Sequence, residues 1–338
     1  MHLFGKDLDT EIAIIAEIGV NHEGDFDAAI KLLRLAAGAG ADAVKFQNYS
    51  PARYASASDP ARLARVGSFC LDDDAMRALR DEANALDVAI LSTPLSEDKI
   101  AIDADLLPAI KIASGDLTFE PAIRGAAASE RPILLSTGLG TMDEINQAIA
   151  WFKDEAGTAD IRDRLVLLHC VSAYPTPIEQ ANVLAVPFSA QTTGLRVGYS
   201  NHVIGMEACF GAIAHGACVI EVHFTDCKTG RAFRDHELSC EPSDLKMLVA
   251  MAPRIRQGLG TRSKVRQSAE QPLLEAVRKG VVAACELKAG HTLSNEDLMF
   301  ARPATEFPAD QIDTLIGKRI TQAYKLGESI RRIDVEMD

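Results

Sequence analysis

Eight short apolar runs punctuate the first three-quarters of the chain: EIAIIAEIG (11–19), DAVKFQNY (42–49), DVAILSTP (87–94), AIKIASG (109–115), PILLSTG (132–138), RLVLLHCVS (164–172), LRVGYSN (195–201) and VIEVHFT (219–225). Each is continuous rather than alternating, as strands covered on both faces must be. Between most of them apolar positions recur at helical spacing. FDAAIKLLRLAAGAG ends in glycines that suit a helix stop, and DDDAMRALRDEANAL carries acids in its first turn. TMDEINQAIAWFKDEAG opens with Thr141 and Glu144 at capping-box spacing. MEACFGAIAHGA follows the seventh run and PSDLKMLVAMAPRIRQGL the eighth, whereas YPTPIEQANVLAVPFSAQTTGL, after the sixth, is proline-rich and less clearly helical. Eight strand–helix units within residues 1–260 predict an α/β fold of the (β/α)8 TIM-barrel type. A doubly wound open sheet is the competitor; the strand count and the lack of G-x-G-x-x-G after the first run favour the barrel.

The pattern breaks after residue 260. GTRSKVRQSAEQPLLEAVR reads as a polar connector, giving a linker at 261–278. Residues 279–338 hold only short apolar runs, with turn signals at KAG, SNED and KLGE. They predict a separate small domain of short strands and a short helix or two.

Composition narrows the class. Of 338 residues, 47% are hydrophobic and 25% charged, enough for a sizeable core. A formal charge of −13 argues against a general nucleic-acid or anionic-membrane binder. It leaves an anionic substrate open, because a few lysines in a closed pocket outweigh a distant acidic surface. Seven cysteines without a CxxC pair read as reduced thiols of a cytoplasmic protein. No secretion signal is evident, and no apolar stretch reaches the roughly 18 residues of a membrane span.

In such a barrel the functional face is the C-terminal end of the strands. Every run brings polar residues there: Glu17 with Asn21 and His22; Lys45 with Gln47; Ser92 with Thr93; Lys111 with Ser114; Ser136 with Thr137; His169 with Ser172 and Tyr174; Ser200 with His202; Glu221 with His223. His202 and His223 are one strand–helix unit apart, so their imidazoles stand at equivalent heights on neighbouring strands. Two histidines with oxygen ligands suit Mn²⁺, Fe²⁺, Co²⁺ or Zn²⁺. Asp235 and His236 can reach the same mouth, and the bland alternative is that each histidine is a hydrogen-bonded core residue. Lys45 and Lys111 lie inside apolar runs, where lysine is rarely buried without a partner. With Ser114, Ser136 and Thr137 they make an anion pocket; pairing with Glu17 or Glu221 is the alternative, and the two can coexist.

AEIGVNHEG, VKFQ, LSTP, KIASGD, ILLSTG, HCVSAYPT, GYSNH and EVHFTD, in this order, resemble the sialic acid (N-acetylneuraminate) synthase family, and the tail resembles its antifreeze-like (SAF, β-clip type) domain. The resemblance implies a transferase that condenses phosphoenolpyruvate with an N-acetylated hexose such as N-acetylmannosamine, releasing phosphate and a nonulosonic acid. It implies a domain-swapped homodimer and a divalent ion, Mn²⁺ foremost, with Mg²⁺ or Co²⁺ as alternatives. Motif by motif, it implies His202 and His223 as metal ligands. Lys45, Thr93, Lys111, Ser114, Ser136 and Ser200 would contact phosphoenolpyruvate. Gln47, Tyr174 and Glu221, with Glu17 and Asp235, would stand near the sugar, the metal or its waters; Glu17 or Asp235 would direct the attacking water. Arg302 would reach the partner's sugar. Another phosphoenolpyruvate-condensing ketulosonate synthase, with Arg234 as the candidate for a substrate phosphate, and a non-catalytic carbohydrate-binding homologue are the competing functions.

Four departures from the family pattern carry expectations. Asn201 replaces the usual aspartate before His202, removing a charge beside a ligand. Ala232, Phe233 and Arg234 replace a Pro-Gly-Pro type loop before Asp235 and His236, and the added arginine suggests a different sugar. Ala304 follows Arg302 and Pro303 where a glycine is usual, which restricts the backbone there. Ser172 stands where some members have asparagine. His22, His169 and His215 are left ambiguous, with His215 read as structural.

Overall fold

The computed structural model describes residues 1–336. The chain divides into two compact units, Met1–Gly260 and a second beginning at Thr261. In the first, a hairpin of β1 (His2–Leu3) and β2 (Lys6–Asp7) precedes eight parallel strands: β3 (Ala13–Gly19), β4 (Ala43–Asn48), β5 (Ala89–Pro94), β6 (Ile110–Ile112), β7 (Ile133–Ser136), β8 (Leu165–His169), β9 (Arg196–Asn201) and β10 (Val219–His223). They follow one another in chain order and close where β10 pairs with β3. All eight apolar runs are barrel strands.

Each strand divides its residues between two cores. The outward set, such as Ile14, Val44, Ile90, Ile110, Ile133, Leu165, Val197 and Ile220, packs under the surrounding helices. The inward set starts apolar: Ile15, Ala43, Leu91, Ala109, Leu134, Val166 and Val219 form a separate cluster inside the barrel, joined by Leu3 and Leu8 from the N-terminal hairpin segment. Two residues further along six of these strands the inward position turns polar. Ile15 gives way to Glu17, Ala43 to Lys45, Leu91 to Thr93, Ala109 to Lys111, Leu134 to Ser136 and Val219 to Glu221. The two-residue period of a strand thus converts a bland apolar run into a packed floor with a polar layer above it.

The helices differ in part from the sequence reading. The capping box is formed: Thr141 Oγ1 accepts from the Glu144 backbone N–H, and Glu144 Oε2 accepts from the Thr141 N–H. The proline-rich stretch after β8 does hold a helix, Ala185–Thr193. Its Pro187 lies in the first turn, where a missing N–H costs no intrahelical bond. Helices Pro60–Phe69, Ile100–Leu106 and Glu120–Ala128 were not read from the sequence. The first is polar on average and belongs to an insertion after β4, so it lacks a strong apolar stripe.

The second unit has its own core, centred on Val281, Leu287, Leu298, Phe307, Ile320 and Tyr324. It pairs β11 (Gly280–Ala283) with β12 (Leu298–Ala301) antiparallel and is otherwise built of short 3-10 turns and isolated bridges. Ala304 is not among the residues with positive φ, so it adopts its conformation without the strain that would call for glycine. Among the described residues no helix is long and apolar enough to cross a membrane.

Candidate active site

A cavity of about 840 Å³ opens at the C-terminal ends of the barrel strands. Its floor is the polar layer. Lys45 Nζ lies 3.0 Å from Glu17 Oε2 and 3.4 Å from Glu221 Oε2, and donates to Thr93 Oγ1 at 3.0 Å. Lys111 Nζ donates to Ser136 Oγ at 2.6 Å and lies 3.8 Å from Glu221 Oε1, which also accepts from Ser200 Oγ at 2.9 Å. Gln47 Nε2 donates to Glu17 Oε1 at 3.3 Å. All four ionic side chains are buried. Burial of this quality is costly for any charge without a partner, and here two cations and two carboxylates offset one another.

The offset is uneven. Burial, reinforced by the Glu221 charge, pushes Glu17 up to about 7 although Lys45 opposes it. Glu221 is held down at about 2, because Lys111 and Lys45 outweigh its own burial. Burial pulls Lys45 down, but Glu17 and Glu221 outweigh that and raise it. For Lys111 burial prevails and lowers it. When Glu17 takes a proton the floor carries two ammoniums against one carboxylate, a net positive pocket suited to an anion.

One wall holds the histidines. Their ring centroids are 5.4 Å apart, and the Tyr174 ring packs 4.1 Å from His202 and 6.0 Å from His223. His202 Nδ1 donates to the Val171 carbonyl at 2.6 Å, which leaves its Nε2 with a free lone pair. Burial drives both imidazoles down to about 4, so both are neutral at physiological pH. Asp235 lines the same cavity; burial raises its carboxyl against the opposing charge of Arg234, whose Nε lies 3.3 Å from Asp235 Oδ1. Two neutral imidazoles on one wall are a donor pair that fits a borderline divalent ion. Among the described residues no group of three or more His, Cys, Asp or Glu side chains is gathered for a metal, so such an ion would complete its shell with substrate and water.

The remaining predicted residues separate clearly. Ser114 lines the cavity, with its Oγ 3.0 Å from Cys170 Sγ and accepting from the Gly138 N–H at 3.1 Å. Gly138 is required by that approach, since a Cβ there would lie 2.4 Å from Ser172 Oγ and 2.8 Å from Ser114 Oγ. Thr137 turns away and donates to the Leu168 carbonyl, so it is not part of the anion pocket. His236 also faces elsewhere, bonded to Thr225 and Glu23. His169 Nε2 meets the Ala181 carbonyl at 3.0 Å, and His22 Nδ1 accepts from Gly24 N–H at 3.0 Å. Both are tied to backbone. Asn201 does not touch the His202 ring: its Nδ2 donates to the Val203 and Gly205 carbonyls, and its Oδ1 accepts from Tyr199 OH. It knits the loop after β9, so its exchange for aspartate removes no charge from the ligand itself. Arg302 is an exposed residue of the second unit whose Nε donates to the Val277 carbonyl at 2.5 Å.

Sequence reasoning missed the upper wall. Tyr49, Tyr54, Asp59, Arg62, Arg65 and Phe69, all from the insertion after β4, line the cavity. Phe69 meets Phe233 edge-on at 5.2 Å, and Arg234 lies 5.5 Å over the Tyr174 ring. The only signal was composition: three aromatics and three arginines (Arg53, Arg62 and Arg65) in one short segment.

Residues 32–264 match the NeuB family and residues 278–336 the SAF domain. The N,N'-diacetyllegionaminic acid synthase of Campylobacter jejuni is 36% identical over 332 residues, covering 94% of this chain and 98% of that protein. The enzyme of the same name from Legionella pneumophila is 33% identical over 331 residues, covering 94% and 92%. Among solved structures, the N-acetylneuraminic acid (sialic acid) synthetase of Leptospira borgpetersenii, in complex with citrate, is 31% identical with a TM-score of 0.73, covering 78% of this chain and 90% of that one.

Proposed function

The chain belongs to the NeuB family, and on that premise we propose that it is a nonulosonic acid synthase, joining phosphoenolpyruvate to the open-chain form of an N-acetylated hexose and releasing inorganic phosphate. The observation that carries the reading is the cavity floor: two buried ammonium groups, Lys45 and Lys111, set among hydroxyls beneath two neutral imidazoles.

The chain's own residues account for the steps. Lys45 and Lys111, with Thr93, Ser114, Ser136 and Ser200, hold the phosphate and carboxylate of phosphoenolpyruvate and fix its carbon 3 against the sugar aldehyde. Carbon 3 bonds to the aldehyde carbon; the aldehyde oxygen takes a proton and becomes a hydroxyl. Carbon 2 is left as an oxocarbenium, to which water adds while Glu17 or Asp235 accepts its proton. The tetrahedral adduct then breaks its carbon–oxygen bond to phosphate while the new hydroxyl on carbon 2 passes its proton to the departing phosphate, forming the 2-keto acid. The lysines stabilise the charge on the departing group. Gln47, Tyr174 and Glu221 orient the sugar. His202 and His223 would hold a divalent ion, manganese in this proposal, which when bound supplies Lewis-acid polarisation of the aldehyde oxygen.

The same proposal extends to a domain-swapped homodimer in which Arg302 serves the partner's sugar, in a reducing cytoplasm where the seven free thiols persist. If Arg302 acts across subunits, mixing the impaired Arg302→Ala and Asp235→Ala chains restores part of the activity lost by each.

The decisive experiment is phosphate release from phosphoenolpyruvate with a panel of N-acetylated hexoses, with and without Mn²⁺, for wild type and His223→Ala. Release that requires both sugar and metal and is lost in the variant is expected. Release independent of sugar, or undiminished in His223→Ala, would overturn the proposal.

A further inference from the structure

Asp235 enters the cavity from the first residue of a single-turn helix, Asp235–Leu238. Two hydrogen-bond chains behind the cavity fix that turn. Asn21 Nδ2 donates to the Phe224 carbonyl and to Ser239 Oγ, each at 2.9 Å. Ser239 Oγ, its lone pair engaged by Asn21, donates its single proton to the Asp235 carbonyl at 2.6 Å. On the other side His236 Nδ1 meets Thr225 Oγ1 at 2.7 Å and Nε2 meets Glu23 Oε1 at 3.2 Å.

Asn21 and Glu23 belong to the turn after β3; Thr225, His236 and Ser239 belong to the segment after β10. These strands are the pair that closes the barrel, so the network spans its closing seam. The turn after β3 is built for this. Glu23 adopts φ +52° and Gly24 φ +85°, and a Cβ on Gly24 would lie 2.0 Å from the Ser68 carbonyl oxygen. Asn21, Thr225, His236 and Ser239 are buried, and none of them lines the cavity. Four buried polar side chains are a poor way to stabilise a loop, since apolar packing would do so without desolvation. Their directionality serves placement instead.

We propose that Asn21, Ser239 and His236 are positioning residues that hold the Asp235 carboxylate over the cavity floor. The proposal rests on the reading of Asp235 as a group that handles the attacking water. Loosening the latch lets the carboxylate leave its productive geometry without disturbing the phosphoenolpyruvate contacts, which come from the floor. Misplacement of this kind lowers turnover rather than binding.

The test compares wild type, Ser239→Ala, His236→Gln, Asp235→Ala and the double variant Ser239→Ala/Asp235→Ala. Ser239→Ala is expected to lower kcat on the order of tenfold, with calorimetric affinity for phosphoenolpyruvate unchanged and amide exchange across residues 235–239 faster; His236→Gln should behave alike. In the Asp235→Ala background, Ser239→Ala should cost nothing further. Equal losses in both backgrounds, or faster exchange with kcat unchanged, would reduce the network to a structural role and overturn the proposal. So would exchange unaltered by either latch variant, a result that is read whether or not turnover is seen. Wild-type protein that releases no phosphate with any acceptor would instead be a failure of the proposed reaction, visible before any variant is compared.

Discussion

Lys45 Nζ stands 3.0 Å from Glu17 Oε2, on strands whose register sets the two residues side by side, and both side chains are closed to solvent. The pair is asymmetric in its consequences. Lys45→Met would leave Glu17 and Glu221 facing one another with Lys111 as their remaining cation. Removing one partner of a buried pair typically costs about 3 kcal/mol or more, and here phosphoenolpyruvate binding should go with it. Glu17→Gln instead leaves a net positive floor. It should bind phosphoenolpyruvate at least as tightly as wild type; a fall in phosphate release of only a fewfold is expected where Asp235 accepts the water proton, and a fall on the order of 10² or more would assign that proton to Glu17 instead. Thermal unfolding and calorimetric titration of both variants check the contrast.

In the proposed metal site the two imidazoles stand without a third protein ligand among the described residues, the arrangement of a working ion rather than a structural one. Exhaustive treatment with a chelator should therefore abolish phosphate release while leaving far-ultraviolet circular dichroism unchanged and the melting temperature lowered by no more than a few degrees. Addition of Mn²⁺ should restore turnover. His202→Ala and His223→Ala should each prevent that restoration. A chain that unfolds on chelation would contradict the assignment.

How far the sequence reaches is clearest at Lys111 and His236. Lys111 lies in IKI, and a lysine between isoleucines at the end of an apolar run was enough to place it on the barrel's polar layer. Strand periodicity fixes which way such a residue points. His236 lies in RDHELS, where no period applies, and adjacency to Asp235 suggested the mouth; a one-turn helix sends neighbouring side chains in different directions, so the histidine faces the back. The insertion after β4 failed for a related reason. Arg62 and Arg65 become cavity residues only through tertiary placement of a short polar helix, which no local pattern announces. Asn201, read from the sequence as the loss of a charge beside His202, also has a local task that no pattern announces, since its amide is engaged by its own loop.

Asp103 provides a pH test away from the chemistry. It is fully buried behind β4 and β5, where it accepts from Asn48 Nδ2 at 2.8 Å, while its Oδ2 has no hydrogen-bond partner. Burial raises its carboxyl from 3.8 to about 6. Between these values the folded state binds more protons than the unfolded chain, so this group's contribution to stability is full below about 3.8 and is lost as pH rises through about 6. Asp103→Asn keeps the acceptor for Asn48 and never ionises. It should therefore be more stable than wild type at pH 7.5, by an amount on the order of 2 kcal/mol, and the advantage should vanish near pH 4. Denaturant unfolding at the two pH values measures the difference; an advantage independent of pH would show that Asp103 is not the cause.

Arg62 and Arg65 line the cavity from an exposed helix, and among the described residues neither is paired with a carboxylate; Arg62 lies 5.6 Å over the Tyr54 ring. They give the mouth a positive rim on a chain whose net charge is −13. A trianionic substrate approaching such a surface is repelled at long range and drawn in only near the rim, so the arginines should act on encounter rather than on chemistry. Arg62→Ala/Arg65→Ala should lower kcat/KM for phosphoenolpyruvate severalfold at low ionic strength and leave kcat unchanged. Because charge interactions at the surface are screened over about 10 Å at 0.1 M salt, the gap between variant and wild type should narrow steadily as salt is added. A deficit that persists unchanged at 0.5 M salt, roughly where the screening length falls below 5 Å, would mean that these arginines contact bound substrate directly, and the rim would then belong to the acceptor site rather than to its approach.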